Sequence, residues 1–241
     1  MADSANKIIH ITRDFNSLKN IIATRSLRLS YCKENFYANN RNISLAVHPM
    51  VCFSEYNIDE INSKKITYGR HAVGFSKKWA RKNKIGPVLY VSQSSLAAKG
   101  MKTLLEARQG KCSSKLPSNL RLPIMELKCF IKNEQGHNRH YKKDNYDFKS
   151  ENEWRYVPEK SKINGNLISQ NQSVYMKDIN GYNEKLLEFP LRFEIRDIEV
   201  LFVLNESEAE LCLEYGVPRS TIRISKWEWE DSIKINAGPT D

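Results

Sequence analysis

Cysteine is scarce in this chain of 241 residues, and its five cysteines are scattered without a CxxC pair. An odd number of dispersed cysteines is typical of reduced thiols and argues against a disulfide framework. Cys129, His137 and His140 lie fairly close in sequence, but no fourth ligand stands at a suitable spacing for zinc. The sequence therefore predicts neither disulfides nor a metal site.

Long apolar runs are also missing. No segment approaches the roughly 18 apolar residues of a transmembrane helix, and the polar start, Met1 to Lys7, does not look like a secretory leader. The chain has no glycine-rich phosphate loop, no GxSxG elbow and no HExxH helix. These absences predict a cytoplasmic protein without membrane contact, and they argue against the chemistries that those motifs serve.

Positive charge, in contrast, is abundant. Lysine and arginine number 38 against 28 aspartates and glutamates, which gives a formal net charge of +10. A surplus of this size favours polyanionic partners through long-range attraction and counterion release, although it also keeps a protein soluble. A nucleic-acid site and a merely solubilising charge both stay open. The cations group in two runs: Lys77, Lys78, Arg81, Lys82 and Lys84, then Arg139, Lys142 and Lys143.

Hydrophobic periods of two and of 3.6 residues predict a mixture of strands and helices. Predicted strands cover 8–12, 27–31, 50–54, 71–75, 88–91, 148–157, 192–195, 200–204 and 221–224. Predicted helices cover 16–24, 58–67, 77–84, 94–108 and 205–215, while 122–131 fits either state. Predicted loops cover 35–42, 136–147 and 160–171. No repeat or sharp change of composition divides the chain, so we expect one α+β domain over 1–241, with 160–241 as its C-terminal extension.

One predicted strand carries an unusual set of charges. Alternation over 148–157 puts Glu151, Glu153 and Arg155 on one face, with Trp154 and Tyr156 on the other. Two carboxylates on an otherwise buried strand need partners. If this face of the strand lines a cleft, the two carboxylates would stabilise a cationic, oxocarbenium-like centre. A solvent-facing ladder of salt bridges is the alternative, and the spacing alone favours it.

Two other strands carry candidate ligand-binding side chains. His10 and Thr12 share one face of the first predicted strand, and Ser54 ends the apolar run 50–54. A strand histidine beside a hydroxyl can hold a ribose or an amide, although a satisfied, half-buried histidine is the commoner case. Ser54 either binds a ligand or closes a serine turn.

The order of these pieces resembles the ADP-ribosyltransferase fold: a strand with His-x-Thr, a helix, a buried strand ending in serine, and a late Glu-x-Glu strand. More closely, the chain resembles the AbiGi family of abortive-infection proteins. The segments that carry this resemblance are 10–22, 50–54, 68–69, 73–79, 87–90 and 151–158. The resemblance predicts a single α+β domain with mixed or antiparallel central sheets and flanking helices.

For activity, the resemblance implies anti-phage defence by transfer of ADP-ribose from NAD to a macromolecular target. His10, with Thr12 or Arg13 beside it, would hold NAD, and Ser54 would stand on the second strand of that site. No aromatic-rich clamp over the nicotinamide is evident, and Tyr68 or Tyr56 would serve in its place. No metal is implied.

The same resemblance assigns the catalytic role to the late strand. Glu153 would bond the ribose hydroxyl and stabilise the oxocarbenium ion as nicotinamide leaves, which is stabilisation of charge that appears only in the transition state. Glu151 would orient or deprotonate the acceptor. Trp154 and Arg155, however, are not residues that a transferase requires.

A second implication stays open beside the enzyme. AbiGi proteins are described as the antitoxin or regulatory half of a two-gene system, so the chain would then be a non-catalytic module. Its partner would be a cognate toxin, or a nucleic acid bound at Lys77, Lys78, Arg81 and Lys82. The enzyme requires that His10, Ser54 and Glu153 line one pocket, and the binding module does not.

Overall fold

A computed structural model describes residues 5–66, 68–111, 116–138 and 143–229, with Lys143 described by its backbone only. The helices of these ranges are α1 Phe15–Thr24, α2 Lys77–Lys82, α3 Leu96–Arg108, α4 Arg121–Cys129, α5 Gln172–Tyr175, α6 Ile179–Glu184 and α7 Glu206–Leu213. The strands are β1 Asn6–Thr12, β2 Ser26–Leu27, β3 Ser30–Ala38, β4 Arg41–Asn57, β5 Lys65–Ile66, β6 His71–Phe75, β7 Gly86–Pro87, β8 Leu89–Val91, β9 Ile131–Asn133, β10 Gln135–Asn138, β11 Lys143–Asp147, β12 Glu153–Tyr156, β13 Gln170–Asn171, β14 Leu191–Arg192, β15 Ile198–Val203, β16 Ile222–Ile224 and β17 Glu228–Trp229.

A nine-stranded sheet organises these elements. Its strand order is β16-β15-β6-β1-β4-β12-β7, and β3 and β13 pair with β4 outside that path. Neighbouring strands run antiparallel, except that β15 and β16 are parallel. The predicted combination of helices with a mixed, largely antiparallel sheet is therefore confirmed.

Strand β4 is the longest element, with 17 residues, and it joins the two halves of the sheet. Its second half pairs with β1 and β12, and its first half forms a long hairpin with β3. The turn is Asn39-Asn40, whose φ angles of +49° and +57° suit asparagine in a tight two-residue turn. The prediction of a loop over 35–42 is therefore wrong: only two of its four asparagines form the turn, and the other two lie in β3 and β4.

Helices α1, α2, α3 and α7 begin within two residues of the predicted starts at 16, 77, 94 and 205. The side chains of Asp14, Ser76, Ser95 and Asn205 accept hydrogen bonds from backbone N–H groups in the first turns of α1, α2, α3 and α7. Each bond satisfies a donor that a helix start leaves free. The ambiguous segment 122–131 is mainly helical, as α4. None of the described helices is long and apolar enough to cross a membrane.

Several predicted elements are shorter or different. The described part of the predicted helix 58–67 contains a 3-10 turn, Ile61–Ser63, and β5, and the predicted loop 160–171 contains a 3-10 turn, Lys160–Ile163, and β13. The predicted loop 136–147 contains strands of the β10–β11 hairpin, and strand 192–195 shrinks to β14. Arg139, His140 and Lys142 lie outside the described residues.

The two faces of the sheet bury different apolar clusters, since side chains alternate along each strand. Ile8, Phe53 and Phe75 join the larger cluster, which helices α1, α2 and α7 cover. Ile9 and Phe202 belong to a smaller cluster on the opposite face. A third cluster lies between the β3–β4 hairpin and helices α3 and α4. The β4–β12 end of the Ile9 face carries charges instead, and these form the site described next.

Candidate functional site

Five charged side chains from four elements meet at β12, and we call them the buried charge cluster: Glu34, Lys132, Glu151, Glu153 and Arg155. Strand β12 supplies Glu153 and Arg155, β9 supplies Lys132, and β3 supplies Glu34. Glu151 ends the 3-10 turn that precedes β12. The exposed fraction is 7% for Glu153 and 0% for Arg155, so little of the cluster reaches solvent.

The Arg155 guanidinium is the centre of this cluster. Its Nε and Nη2 donate to the two carboxylate oxygens of Glu153 at 2.8 and 3.0 Å, a bidentate geometry. Nη2 also donates to Glu34 Oε1 at 2.8 Å, and Nη1 donates to the Cys129 carbonyl at 2.6 Å. Arg155 thereby joins β12 to β3 and to the end of α4.

Lys132 closes the other side of the cluster. Its Nζ donates to Oε2 of Glu151 and to Oε2 of Glu153, both at 3.0 Å. The same ammonium lies 4.4 Å from the centre of the Phe148 ring, within range of a cation–π contact. Burial would lower the pKa of Lys132, but the charges of Glu153 and Glu151 outweigh burial and raise it. Lys132 is therefore positively charged.

The two cations also control the ionisation of Glu153. Burial would raise the pKa of this carboxyl, but Arg155 and Lys132 reverse the shift and lower the pKa from 4.5 to about 2. At neutral pH Glu153 is a carboxylate, and both of its oxygens accept hydrogen bonds from cations.

Two tyrosines complete the surroundings. The Tyr68 hydroxyl donates to Oε1 of Glu151 at 2.9 Å, and the backbone N–H of Glu153 donates to the Tyr90 hydroxyl at 2.9 Å. Partial burial of the hydroxyl, together with the charge of Glu151, raises the pKa of Tyr68 well above its usual value, although 43% of the residue is exposed. Tyr68 therefore acts as a neutral hydrogen-bond donor next to the predicted catalytic strand.

The prediction that Glu151 and Glu153 belong to one continuous strand is wrong, although their carboxylates do converge. Glu151 lies in a 3-10 turn, and Asn152 then adopts a left-handed φ of +43° before β12 begins. This kink changes the alternation on which the prediction depended. The two side chains meet because both bind Lys132. The alternation of side chains along a strand does not indicate a contact of this kind.

The predicted cofactor residues are split between the two faces of the sheet. On β4, Ser54 lies directly opposite Glu153 of the neighbouring strand β12 and opposite Ile9 of the other neighbour, β1. These three side chains therefore lie on the same face of the sheet. His10, one residue later, points to the opposite face, where its ring packs edge-on against Phe53 at 5.7 Å. The structure does not bring His10 together with Ser54 and Glu153.

His10 itself is well satisfied where it lies. Its Nδ1 is 2.9 Å from the carbonyl oxygen of Cys52, and because a carbonyl only accepts, Nδ1 must carry the proton. Burial lowers the pKa of His10, partly offset by this bond, so the ring is neutral at pH 7. Thr12 pairs with His71 at the end of β1, and Arg13 follows on the exposed surface.

The predicted nucleic-acid residues all lie on α2, but they differ in their contacts. Lys77 is half-buried and forms an ion pair with Glu55 at 2.5 Å. Lys78, Arg81 and Lys82 are exposed. No grouping of three or more His, Cys, Asp or Glu side chains that could hold a metal occurs within the part of the chain that the structure describes.

Sequence reasoning missed Lys132 and Glu34, two of the five members of the cluster. The only available signal was indirect, since buried carboxylates need cationic partners and a buried arginine needs anionic ones. Lys132 precedes Glu153 by 21 residues, and Glu34 precedes Arg155 by 121. Nothing in the local pattern identifies these partners.

Comparison with known proteins identifies a family for this chain. The family model described as "Putative abortive phage resistance protein AbiGi, antitoxin" matches residues 25–204. The matched range contains the whole buried charge cluster and α2, whereas β1, with His10, lies outside it. No curated protein and no solved structure matches the chain, so the ADP-ribosyltransferase-like core stays a prediction. The predicted resemblance to AbiGi is confirmed, and the chain belongs to the AbiGi family of abortive phage resistance proteins.

Proposed function

We propose that this chain is the antitoxin of a two-gene anti-phage system and that it acts by binding its cognate toxin, without chemistry of its own. The description of its family supports this role by naming an antitoxin. An antitoxin implies a toxin partner, and binding that partner requires a stable, folded surface but no catalytic residue.

The observation that carries the proposal is the state of Glu153. As a transferase catalyst, this carboxylate would have to offer an oxygen to the ribose of NAD. Both of its oxygens instead accept from Arg155, and one also accepts from Lys132. Catalysis would require breaking charge-assisted hydrogen bonds in a site where an unpaired charge is costly.

The placement of the other candidate residues supports the same view. His10, which would hold NAD, lies on the face of the sheet opposite Ser54 and Glu153. A dinucleotide bound by all three would have to contact both sides of the β1–β4–β12 sheet. A structural role for the cluster, in which its ion pairs join β3, β9 and β12, needs no contact with the opposite side of the sheet.

The test combines NAD titration with toxin neutralisation. We expect no heat of binding when NAD is titrated calorimetrically into the folded protein. Co-expressed with the product of its neighbouring toxin gene, the chain should form a complex and restore growth. His10→Ala and Ser54→Ala should restore growth as well as the unaltered chain, once circular dichroism has shown that both are folded.

Two results would overturn the proposal. NAD binding that His10→Ala or Ser54→Ala removes would establish a cofactor site and favour ADP-ribosyl transfer to a macromolecule. Failure of the unaltered chain to form a complex or restore growth would reject the antitoxin role itself. Glu153→Gln is unsuitable as the decisive variant, because it perturbs a buried charge network and would lower stability whatever the function.

A further inference from the structure

We propose that the exposed face of α2 binds the phosphate backbone of a nucleic acid, a role beyond toxin binding. This α2 basic face consists of Lys78, Arg81 and Lys82, which lie three and four residues apart and therefore project together. Flanking cations behave differently, since Lys77 pairs with Glu55 and Lys84 pairs with Glu159.

The α2 basic face carries charge that its surroundings do not neutralise. Among the described residues, no carboxylate forms a salt bridge with Lys78, Arg81 or Lys82. Like charges at these spacings destabilise a helix by about 0.2–0.5 kcal/mol per pair. The face is therefore an unfavourable arrangement for the isolated chain, and a bound polyanion would relieve the repulsion.

The helix dipole accounts for only part of this pattern. Arg81 and Lys82 lie in the last turn of α2, where cations are favoured. Lys78 lies in the first turn, where the positive end of the dipole disfavours a cation. Stabilisation of the helix alone thus explains two of the three cations and leaves the third without a reason.

The support beneath the face is rigid. Ser76 accepts a hydrogen bond from the backbone N–H of Trp79 at the start of α2. The Trp79 ring stacks on Phe75 with centroids 4.0 Å apart and planes 16° from parallel, and Ala80 is fully buried. The three cations therefore project from a fixed element, which lowers the ordering cost of placing them against successive phosphates.

The chemistry of the face favours nucleic acid over an acidic protein. Protein interfaces have an apolar centre within a polar rim, yet none of the exposed large apolar side chains of the described chain belongs to α2. Binding to a phosphate backbone is dominated by Lys and Arg contacts and does not need apolar surface. The net charge of +10 would add long-range attraction to the same kind of partner.

The expected salt dependence follows from the number of cations. Three neutralised phosphates of duplex DNA give a slope of log K against log salt of about −2.7. Binding through this face should weaken about 40-fold between 50 and 200 mM salt. Removing the three cations should flatten the slope by nearly the whole of that value.

The experiment is fluorescence anisotropy with a labelled duplex DNA of mixed sequence, a matching single-stranded DNA and a matching RNA. The test variant is Lys78→Ala, Arg81→Ala and Lys82→Ala together. The matched control is Lys99→Ala, Lys149→Ala and Lys177→Ala, which removes three exposed cations from other elements and changes the net charge equally. Circular dichroism and urea unfolding confirm that both variants are folded.

We expect the test variant to bind at least one of these probes more than tenfold more weakly at 50 mM salt, with a flattened slope, and the control to lose less than threefold. The proposal is rejected if the unaltered chain binds none of the probes at 50 mM salt. It is also rejected if both variants weaken equally, because net charge alone would then explain binding. Toxin neutralisation by the test variant should be unchanged, which separates this result from the test of the antitoxin role.

Discussion

Arg155→Ala is the change that tests the buried charge cluster most directly. The substitution removes the guanidinium and leaves Glu34 and Glu153 facing each other without their shared partner. Lys132 continues to neutralise Glu153 in part, but Glu34 loses its hydrogen-bonded cation. Breaking a buried ion pair by removing one partner costs about 3–5 kcal/mol, and we expect a loss of stability in that range.

Urea unfolding at pH 7, followed by circular dichroism, measures this loss. With an m-value of about 3 kcal/mol per M, the midpoint should fall by about 1–2 M. Arg155→Lys is the matched control, since it keeps the charge but cannot form the bidentate bonds to Glu153. Its midpoint should lie between those of the unaltered chain and of Arg155→Ala.

The dependence on pH provides an independent check. The pKa of Glu153 falls from 4.5 to about 2 in the folded chain, so the folded state gains stability at neutral pH that it loses as pH decreases. The loss takes place between about pH 5 and pH 2 and amounts to about 3 kcal/mol. Arg155→Ala should weaken this dependence, because the carboxyl no longer faces its strongest partner.

The reasoning would be refuted by an Arg155→Ala midpoint within about 0.3 M of the unaltered chain. An unchanged loss of stability between pH 5 and pH 2 would refute it as well. Either result would mean that the cluster contributes less than the geometry and burial of its hydrogen bonds indicate.

Three further substitutions test other parts of the structure. Trp79→Ala removes a buried ring stacked on Phe75 and should lower the unfolding free energy by about 3–5 kcal/mol; Trp79→Phe keeps the stack and should lose much less. Lys128→Met should raise the urea midpoint, because the fully buried amine of Lys128 has no hydrogen-bond partner among the described residues; a lowered midpoint would show that its charge is needed beside Glu34. Asn40→Val should lower the unfolding free energy by about 1–2 kcal/mol, since a β-branched residue resists the left-handed φ of the hairpin turn. In a thermal melt, Asn40→Gly should be at least as stable as the unaltered chain.

Local patterns in the sequence predict α1, α2, α3 and α7, although not α5 or α6. The starts of α1, α2 and α3 are predictable because the side chains that cap them, Asp14, Ser76 and Ser95, lie within three residues of their backbone partners. The buried run of β6 was equally clear. Such features depend on neighbours in the chain, and a single sequence contains them.

Features that depend on distant partners were not predicted. The asparagines of segment 35–42 predict a loop because asparagine is rare in strands, but pairing with β4 keeps Asn35 extended in β3. The strand register of β1 against β4 decided that Ile9, and not His10, shares a face with Ser54. A shift of one residue would have reversed that choice, and the apolar residues Ile8, Ile9 and Ile11 occupy both faces of β1, so its local pattern alone does not fix the register.

The position of β15 in the sheet has a consequence for synthesis on the ribosome. All five residues of β6 are buried, and the outer edge of that strand pairs with β15, which begins only at Ile198. At about 5–20 residues per second, β6 leaves the ribosome several seconds or more before its partner. During that interval an apolar strand edge is open to other chains. The nascent protein thus passes through an aggregation-prone stage, during which chaperone binding would affect its yield.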